Sequence, residues 1–258
     1  MKRFPISMSL ALAFCAFAFA NDSAGDRIVV PARDGSQPRV VNCTTMNGAI
    51  TVKTYSGTDI IVEDGSARSR EDAPGGMKRI GKPPGGLEVR EADGAITVRN
   101  SPFGNGNLVL TVPAEISLRL HTLSGAIDVD GVHGEVDVHT LNGHVTLTGI
   151  SGTVTAYSQN GAIKVAMDRV EPGKPLAFSA FNGAVDLTFP PDFKANLSVR
   201  SDRGAINSDF EVTVGAVGAP GGKHRVRNGN TLHGAINGGG VDLTIRTFNG
   251  GVYIRKKK

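Results

Sequence analysis

One short pattern recurs through this chain and decides what it can fold into. G-x-[IV]-x-[VIL] begins at Gly48, Gly94, Gly125, Gly134, Gly143, Gly161, Gly183, Gly239 and Gly250. Gly152, Gly204 and Gly234 open copies that lose only the last apolar place. A short polar residue stands just before many of these glycines, as in Asn47, Asp93, Ser124, Asn142, Ser151, Asn160, Asn182 and Asn249. Three places before Gly there is often a hydroxyl: Thr45, Thr122, Thr140, Ser158, Ser201, Thr231 or Thr247. Self-similarity at a fixed short spacing points to a stacked repeat, in which each unit buries its apolar face only against its neighbours.

Residues 121–165 give the register: HTLSGAIDV, DGVHGEVDV, HTLNGHVTL, TGISGTVTA, YSQNGAIKV. The first, third and fifth resemble one another, while the second and fourth carry Gly131 or Gly149 at the second place. The repeat is therefore eighteen residues long, made of two unequal strand-plus-turn halves. Ile127 and Val129, Val136 and Val138, Val145 and Leu147 alternate with Asp128, Asp137 and Thr146. That is the period of a strand with one buried face. Asn-Gly and Ser-Gly supply residues that accept a positive φ and let the chain turn sharply. A meander of hairpins would place equivalent turns every nine residues. The alternation of two turn types predicts instead one coil per eighteen residues, with like positions ~4.8 Å apart. The fold class expected is all-β, a repetitive β-solenoid with short strands, on the order of 40–45 Å long.

A larger block overlies this unit. Leu110-Thr111-Val112-Pro113 leads through Leu118 and Leu120 to Thr122 and Gly125, and Leu187-Thr188-Phe189-Pro190 leads through Leu197 and Val199 to Ser201 and Gly204. Val29-Val30-Pro31 opens a third such block ending at Gly48. Proline after a strand stops the ladder, so these mark wider corners. Two segments break the pattern: 63–86, with Pro74-Gly75-Gly76 and Pro83-Pro84-Gly85-Gly86, and 215–230, with Ala219-Pro220-Gly221-Gly222 before Lys223-His224-Arg225-Val226-Arg227. Both read as loops inserted into a single domain spanning 21–258.

The Val-Pro…Leu-x-Val-x-Thr-x-x-Gly-x-Ile block, repeated along nearly the whole chain, resembles the putative-adhesin β-strand-repeat family of bacterial envelope proteins, a family of unknown function. The resemblance implies a β-solenoid and an envelope setting, and it carries over no catalytic residues. The chain departs from the even pattern at the two inserted segments and at Ser208 and Gly238, which puts regularity towards the C-terminus in question.

The N-terminus adds a destination. Met1-Lys2-Arg3, an apolar run from Ile6 to Phe19 and Ala18-Phe19-Ala20 before Asn21 form a secretory signal peptide over residues 1–20. The run is short for a bilayer span, which needs ~20 apolar residues. Phe14 before Cys15 does not suit a lipid-modification site. Cleavage removes Lys2 and Arg3 and lowers the net charge from +4 to +2, which offers nothing to a nucleic acid. Cys43 then stands alone, so no internal disulfide forms, and it reads as a small buried hydrophobe. Location is expected in the periplasm, the cell envelope or outside the cell.

Catalytic readings find little to hold. Several β-solenoids are polysaccharide lyases or hydrolases, so a carbohydrate-active enzyme is the alternative to a structural or interaction module. Its candidate carboxylates are Asp128, Asp137 and Asp186, at a repeat place otherwise taken by Thr51, Thr146 or Lys164, which reads as a solvated polar column. His121 and His139 share a place one period apart and are expected to stack on adjacent coils; His133 and His144 fall in other phases. Two such imidazoles meet the needs of a metal site only in part. Neither a phosphate-binding glycine loop nor a calcium repeat is present, and no cofactor is expected. The chain reads as a non-catalytic surface module with an unidentified envelope or extracellular partner. Self-association through open solenoid ends is a further reading. In it Asn21–Val41 caps one end, while Val252–Ile254 closes the other with Arg255–Lys258 as charged protection.

Overall fold

A computed structural model describes residues 27–32, 39–65, 87–92, 94–100, 106–214 and 230–258. The signal peptide at 1–20 and the inserted segments, apart from Glu63–Gly65 and Asn230, lie outside the described residues. Twenty strands and no helix make up what is described. The first part holds β1 (Arg27–Val30), β2 (Val40–Asn47), β3 (Ile50–Tyr55) and β4 (Ile60–Asp64), then β5 (Leu87–Ala92), β6 (Ala95–Asn100) and β7 (Leu108–Pro113). The middle carries β8 (Ser117–Ser124), β9 (Ile127–Asp130), β10 (His133–Asn142), β11 (Val145–Asn160) and β12 (Ile163–Val170). There follow β13 (Leu176–Asn182), β14 (Val185–Phe189), β15 (Ala195–Ser201), β16 (Ile206–Ser208), β17 (Val212–Val214), β18 (Asn230–Ile236), β19 (Val241–Asn249) and β20 (Val252–Lys256).

The eighteen-residue unit is one coil. Leu118 pairs in parallel with Val136 and Val136 with Val154, while Ile127 pairs with Val145 and Val145 with Ile163. A hairpin meander would have paired these strands antiparallel. Each coil contributes one strand to a front sheet and one to a back sheet. The front sheet runs β5, β6, β2, β8, β10, the second half of β11, β13, β19, β15, β18, β17. The back sheet runs β1, β4, β7, β3, β9, the first half of β11, β12, β14, β20, β16. Eight complete two-strand rungs span about 34 Å, and the front sheet with its capping strands about 48 Å, at the usual strand spacing.

Chain order and stacking order differ at both ends. The rung β2–β3 lies between β6–β7 and β8–β9. The last rung, β19–β20, lies between β13–β14 and β15–β16. The expected closing role of Val252–Ile254 is therefore corrected: β20 is an interior strand with neighbours on both sides. Antiparallel strands cover three of the four sheet ends instead, β4 and β1 on β7, β5 on β6, and β18 and β17 on β15, while β16 pairs only with β20 among the described residues. Antiparallel pairing reverses the chain at a sheet edge and interrupts the parallel template another coil would extend. At the N-terminal end Arg39 ties this cap together, donating to Thr58 O at 3.2 Å and to Pro31 O at 3.1 Å. Regularity is lost where the sequence departs from the pattern: β16 is only three residues and ends at Ser208, and Asn237, Gly238 and Gly239 turn the chain through positive φ from the antiparallel β18 into β19.

Apolar residues at alternate places of both sheets form a single core, with Val41, Leu118, Val136 and Val154 from the front sheet and Ile50, Ile127, Val145 and Ile163 from the back, all buried. The corner between the sheets is made by stacked glycines. A Cβ added to Gly125, Gly143, Gly161 or Gly183 would overlap the carbonyl oxygen of the corner glycine one rung earlier. The reason for glycine here differs from the sequence expectation. Gly143 does not take a positive φ; it is required because two backbones approach too closely for any side chain. Gly131 and Gly149, at the other turn, are the left-handed residues, with φ of 77° and 65°. The hydroxyl three places before Gly serves the same corner. Thr140 Oγ1 donates to Gly125 O at 3.2 Å, Ser158 Oγ to Gly143 O at 2.9 Å and Thr247 Oγ1 to Gly183 O at 3.0 Å. These hydroxyls are buried, and each satisfies a carbonyl that the tight corner would otherwise leave without that donor.

Candidate functional site

The alternation that buries one face of each strand leaves the other to stack in rows on the surface. The residue two places before the corner glycine is apolar in most rungs: Met46, Leu123, Leu141, Phe181 and Phe248, with Gln159 and Asp202 as the exceptions. Met46, Leu123, Leu141 and Phe181 remain 49%, 39%, 37% and 47% exposed. Phe181 and Phe248 stack, centroids 4.9 Å apart and 6° from parallel, and the Arg203 guanidinium lies 5.1 Å over Phe248. Beside this row the corner asparagines form a ladder. Asn160 Nδ2 donates to Asn142 Oδ1 at 2.9 Å, Asn182 Nδ2 to Asn160 Oδ1 at 2.8 Å and Asn249 Nδ2 to Asn182 Oδ1 at 2.8 Å. Each amide spends its donor on its neighbour, which fixes the edge that holds the apolar row.

The adjacent row carries rings and cations. His121 and His139 stack as expected, centroids 5.0 Å apart and 15° from parallel, and Tyr157 follows at 5.8 Å. Ser179, Arg246 and Arg200 continue the same row on β13, β19 and β15. His121 is held below the ordinary imidazole range, first by partial burial and then by the neighbouring His139, against the opposing pull of Asp137.

The three candidate carboxylates do not converge. Asp137 is on the front sheet, whereas Asp128 and Asp186 are on the back sheet with Thr146 and Lys164 between them. Three rungs separate those two by about 14 Å, wider than the roughly 5–9.5 Å at which paired carboxylates act on a glycosidic bond. Arg255 Nε donates to Asp186 Oδ1 at 2.7 Å, and this contact raises the guanidinium's pKa. His139 Nε2 lies 3.0 Å from Asp137 Oδ1 but off the line of a hydrogen bond, which leaves that buried oxygen without a donor. His133 lies 3.1 Å from Glu115, and His144 3.9 Å from Asp128. Among the described residues no three His, Cys, Asp or Glu side chains gather as a metal site requires. Cys43 is buried as expected, and burial pushes its thiol up to about 12.

Sequence reasoning missed the exposed apolar row. Its signal was present in the motif itself, at the free position of [ST]-x-[ND]-G, where Met, Leu, Leu, Phe and Phe recur. A strand-face argument assigns that place to solvent, and five apolar side chains stand there against it.

Among the described residues no helix is long and apolar enough to cross a membrane. A comparison with curated proteins gives no match. Among solved structures the chain is similar to a "putative cell adhesion protein" from Clostridium sporogenes, 9% identical, with a TM-score of 0.49, covering 90% of this chain and all of that one. It is also similar to a "putative adhesin" from Bacteroides fragilis, 14% identical, with a TM-score of 0.36, covering 90% of this chain and 97% of that one. The model of the Toastrack DUF4097 family matches residues 41–228, most of the chain and all of its uninterrupted middle. With that match and a β-solenoid-like fold, the chain belongs to the Toastrack DUF4097 family.

Proposed function

We propose that this chain is exported on its first twenty residues, that 21–258 forms one domain in the envelope or outside the cell, and that it works there as a non-catalytic interaction module. The front sheet is its contact surface. The observation that carries this reading is the row Met46, Leu123, Leu141, Phe181 and Phe248. Water-facing places of a repeat are under no packing demand, and elsewhere on these sheets most hold polar or charged residues. A mostly apolar row, interrupted at Gln159 and flanked by rings and cations, is the composition of an interface and costs solubility without a partner. The absence of converging carboxylates in the described residues turns the enzyme alternative into the weaker one.

The test is co-sedimentation of the purified protein with washed bacterial envelopes. Leu141→Asp and Met46→Asp, both at exposed places, should reduce the bound fraction while leaving the melting temperature unchanged. Lys164→Asp on the back sheet should change neither. Equal binding by all four proteins would remove the front sheet from the reading.

A further inference from the structure

The front face is not uniform along the stack. Towards its C-terminal end, the outward residues of β13, β19, β15 and β18 enclose an open cleft of about 530 Å³. Phe181 and Phe248 form one side of it, Arg246 and Arg200 the middle, and Thr231 with His233 the far side. We infer that this cleft is a binding site for an acidic polysaccharide, a polymer of sugar rings bearing carboxylates. The inference rests on the front sheet being the contact surface and names what that surface takes at this end.

Charge makes the first argument. Arg246 and Arg200 are register partners on adjacent parallel strands, so two cationic side chains leave the sheet from backbones one strand spacing apart. Asp202 is the one carboxylate lining the cleft, and it is engaged by Arg200, whose Nε and NH2 donate to Asp202 Oδ1 at 3.2 and 3.1 Å. Arg246 has no acidic partner among the described residues. Like charges on neighbouring strands are unfavourable, and a guanidinium fork matches a carboxylate with two parallel hydrogen bonds. An anion entering between Arg246 and Arg200 relieves the first and satisfies the second.

Backbone pairing decides the kind of anion. Each of the four strands under the cleft already has a hydrogen-bonded neighbour on both sides: β13 between β11 and β19, β19 between β13 and β15, β15 between β19 and β18, β18 between β15 and β17. A peptide that binds by adding a strand needs a free edge, and these four strands have none. Recognition must come from side chains alone. Ser179, Ser198 and Thr231 offer hydroxyls, the Phe181–Phe248 pair offers an apolar surface for the C–H face of a sugar ring, and the arginines take the carboxylate. A hydroxyl-rich, ring-shaped, carboxylated polymer uses all three.

Isothermal titration of the purified protein with oligogalacturonate, its fully methyl-esterified form and poly-glutamate tests this. Oligogalacturonate should bind, the ester should bind at least about tenfold more weakly, and poly-glutamate should not compete. Arg246→Gln should weaken binding by about tenfold or more, and Phe181→Ser should weaken it severalfold. Arg119→Gln, on the same face but outside the cleft, should stay within about twofold, since it removes only a distant charge. No heat with oligogalacturonate, equal affinity for the ester, poly-glutamate binding as tightly, or an Arg119→Gln loss equal to that of Arg246→Gln would each overturn the assignment. A cooperative melt well above the assay temperature keeps each variant interpretable. Envelope co-sedimentation that persists without oligogalacturonate binding would overturn the polysaccharide and leave the interaction module standing. Loss of both would remove the two together.

Discussion

Replacing Gly143 with alanine tests the corner on which the stack is built. The added Cβ would overlap Gly125 O, a backbone atom with no rotamer to move away. The corner can relieve this only by separating two rungs. That strains the Thr140 Oγ1 bond to Gly125 O at 3.2 Å and the Gly125 N bond to Asn142 O at 2.9 Å. Overpacking against rigid structure costs about 1–3 kcal/mol, and one or two weakened bonds add about 0.5–1.5 kcal/mol each. Reduced freedom of the unfolded chain returns about 0.4–1 kcal/mol. Taking the middle of each range, the net loss is about 3 kcal/mol, which for a chain of this size lowers the melting temperature by roughly 6–12 °C. Gly149→Ala is the control. Its φ is 65° but the nearest atom to a Cβ is 3.6 Å away, so the cost is left-handed strain alone, about 1–2 kcal/mol. Asparagine separates the two causes, because it tolerates the left-handed region yet is larger than alanine. Gly149→Asn should melt above Gly149→Ala, and Gly143→Asn below Gly143→Ala, followed by far-UV circular dichroism. Gly143→Ala melting within about 2 °C of the parent, or Gly143→Asn melting above it, would refute the close-approach account.

Three further outcomes follow from the interior. Ala180 is the register partner of Ser158 and Thr247 but carries no hydroxyl; Ala180→Ser should let Oγ donate to Gly161 O and raise stability by about 0.5–1.5 kcal/mol in denaturant melts, and a loss would mean the corner acceptor is out of reach. Val145 is fully buried between Ile127 and Ile163, so Val145→Asp should abolish the cooperative melt by burying an unpaired carboxylate. Cys43 is held protonated in the fold up to about 12, against 9.0 for a free thiol. Its contribution is fully present below pH 9 and is lost as pH rises towards 12, because only the unfolded state releases the proton in that window. Stability measured across that range should fall less steeply in Cys43→Val, and the native thiol should stay unmodified by a thiol reagent below pH 9.

The uninterrupted middle of this fold was legible because its register is local. From Ser117 to Val170 each coil follows the last at eighteen residues, so the sequence period and the spatial period coincide. The order of rungs at the two ends was not legible. Ile50, Ile127, Val145 and Val185 are all β-branched residues at one place of the back sheet, and any of their strands could neighbour any other. Such a column specifies which face is buried and leaves stacking order to the connections. The proline blocks held that information in a form read as wide corners. Between Pro113 and Ser117 the chain steps from β7 past the rung of β2 and β3 to reach β8. Between Phe189 and Ala195 it steps from β14 past the rung of β19 and β20 to reach β15. Both longer connections cross two strand spacings where an ordinary turn crosses one, and both leave a gap filled by a rung distant in sequence. Surface rows held a second clue. Asn249 and Phe248 repeat Asn182 and Phe181 in order, and each pair meets in space, amide to amide at 2.8 Å and ring on ring at 4.9 Å. Identical polar or aromatic residues gain from stacking on each other in a way aliphatic residues do not, so they specify neighbours. The cleft depends on this same step: Arg246 meets Arg200, and Phe248 meets Phe181, only because the last rung enters between two earlier ones. A chain stacked in sequence order would keep every strand of the front sheet and lose the site.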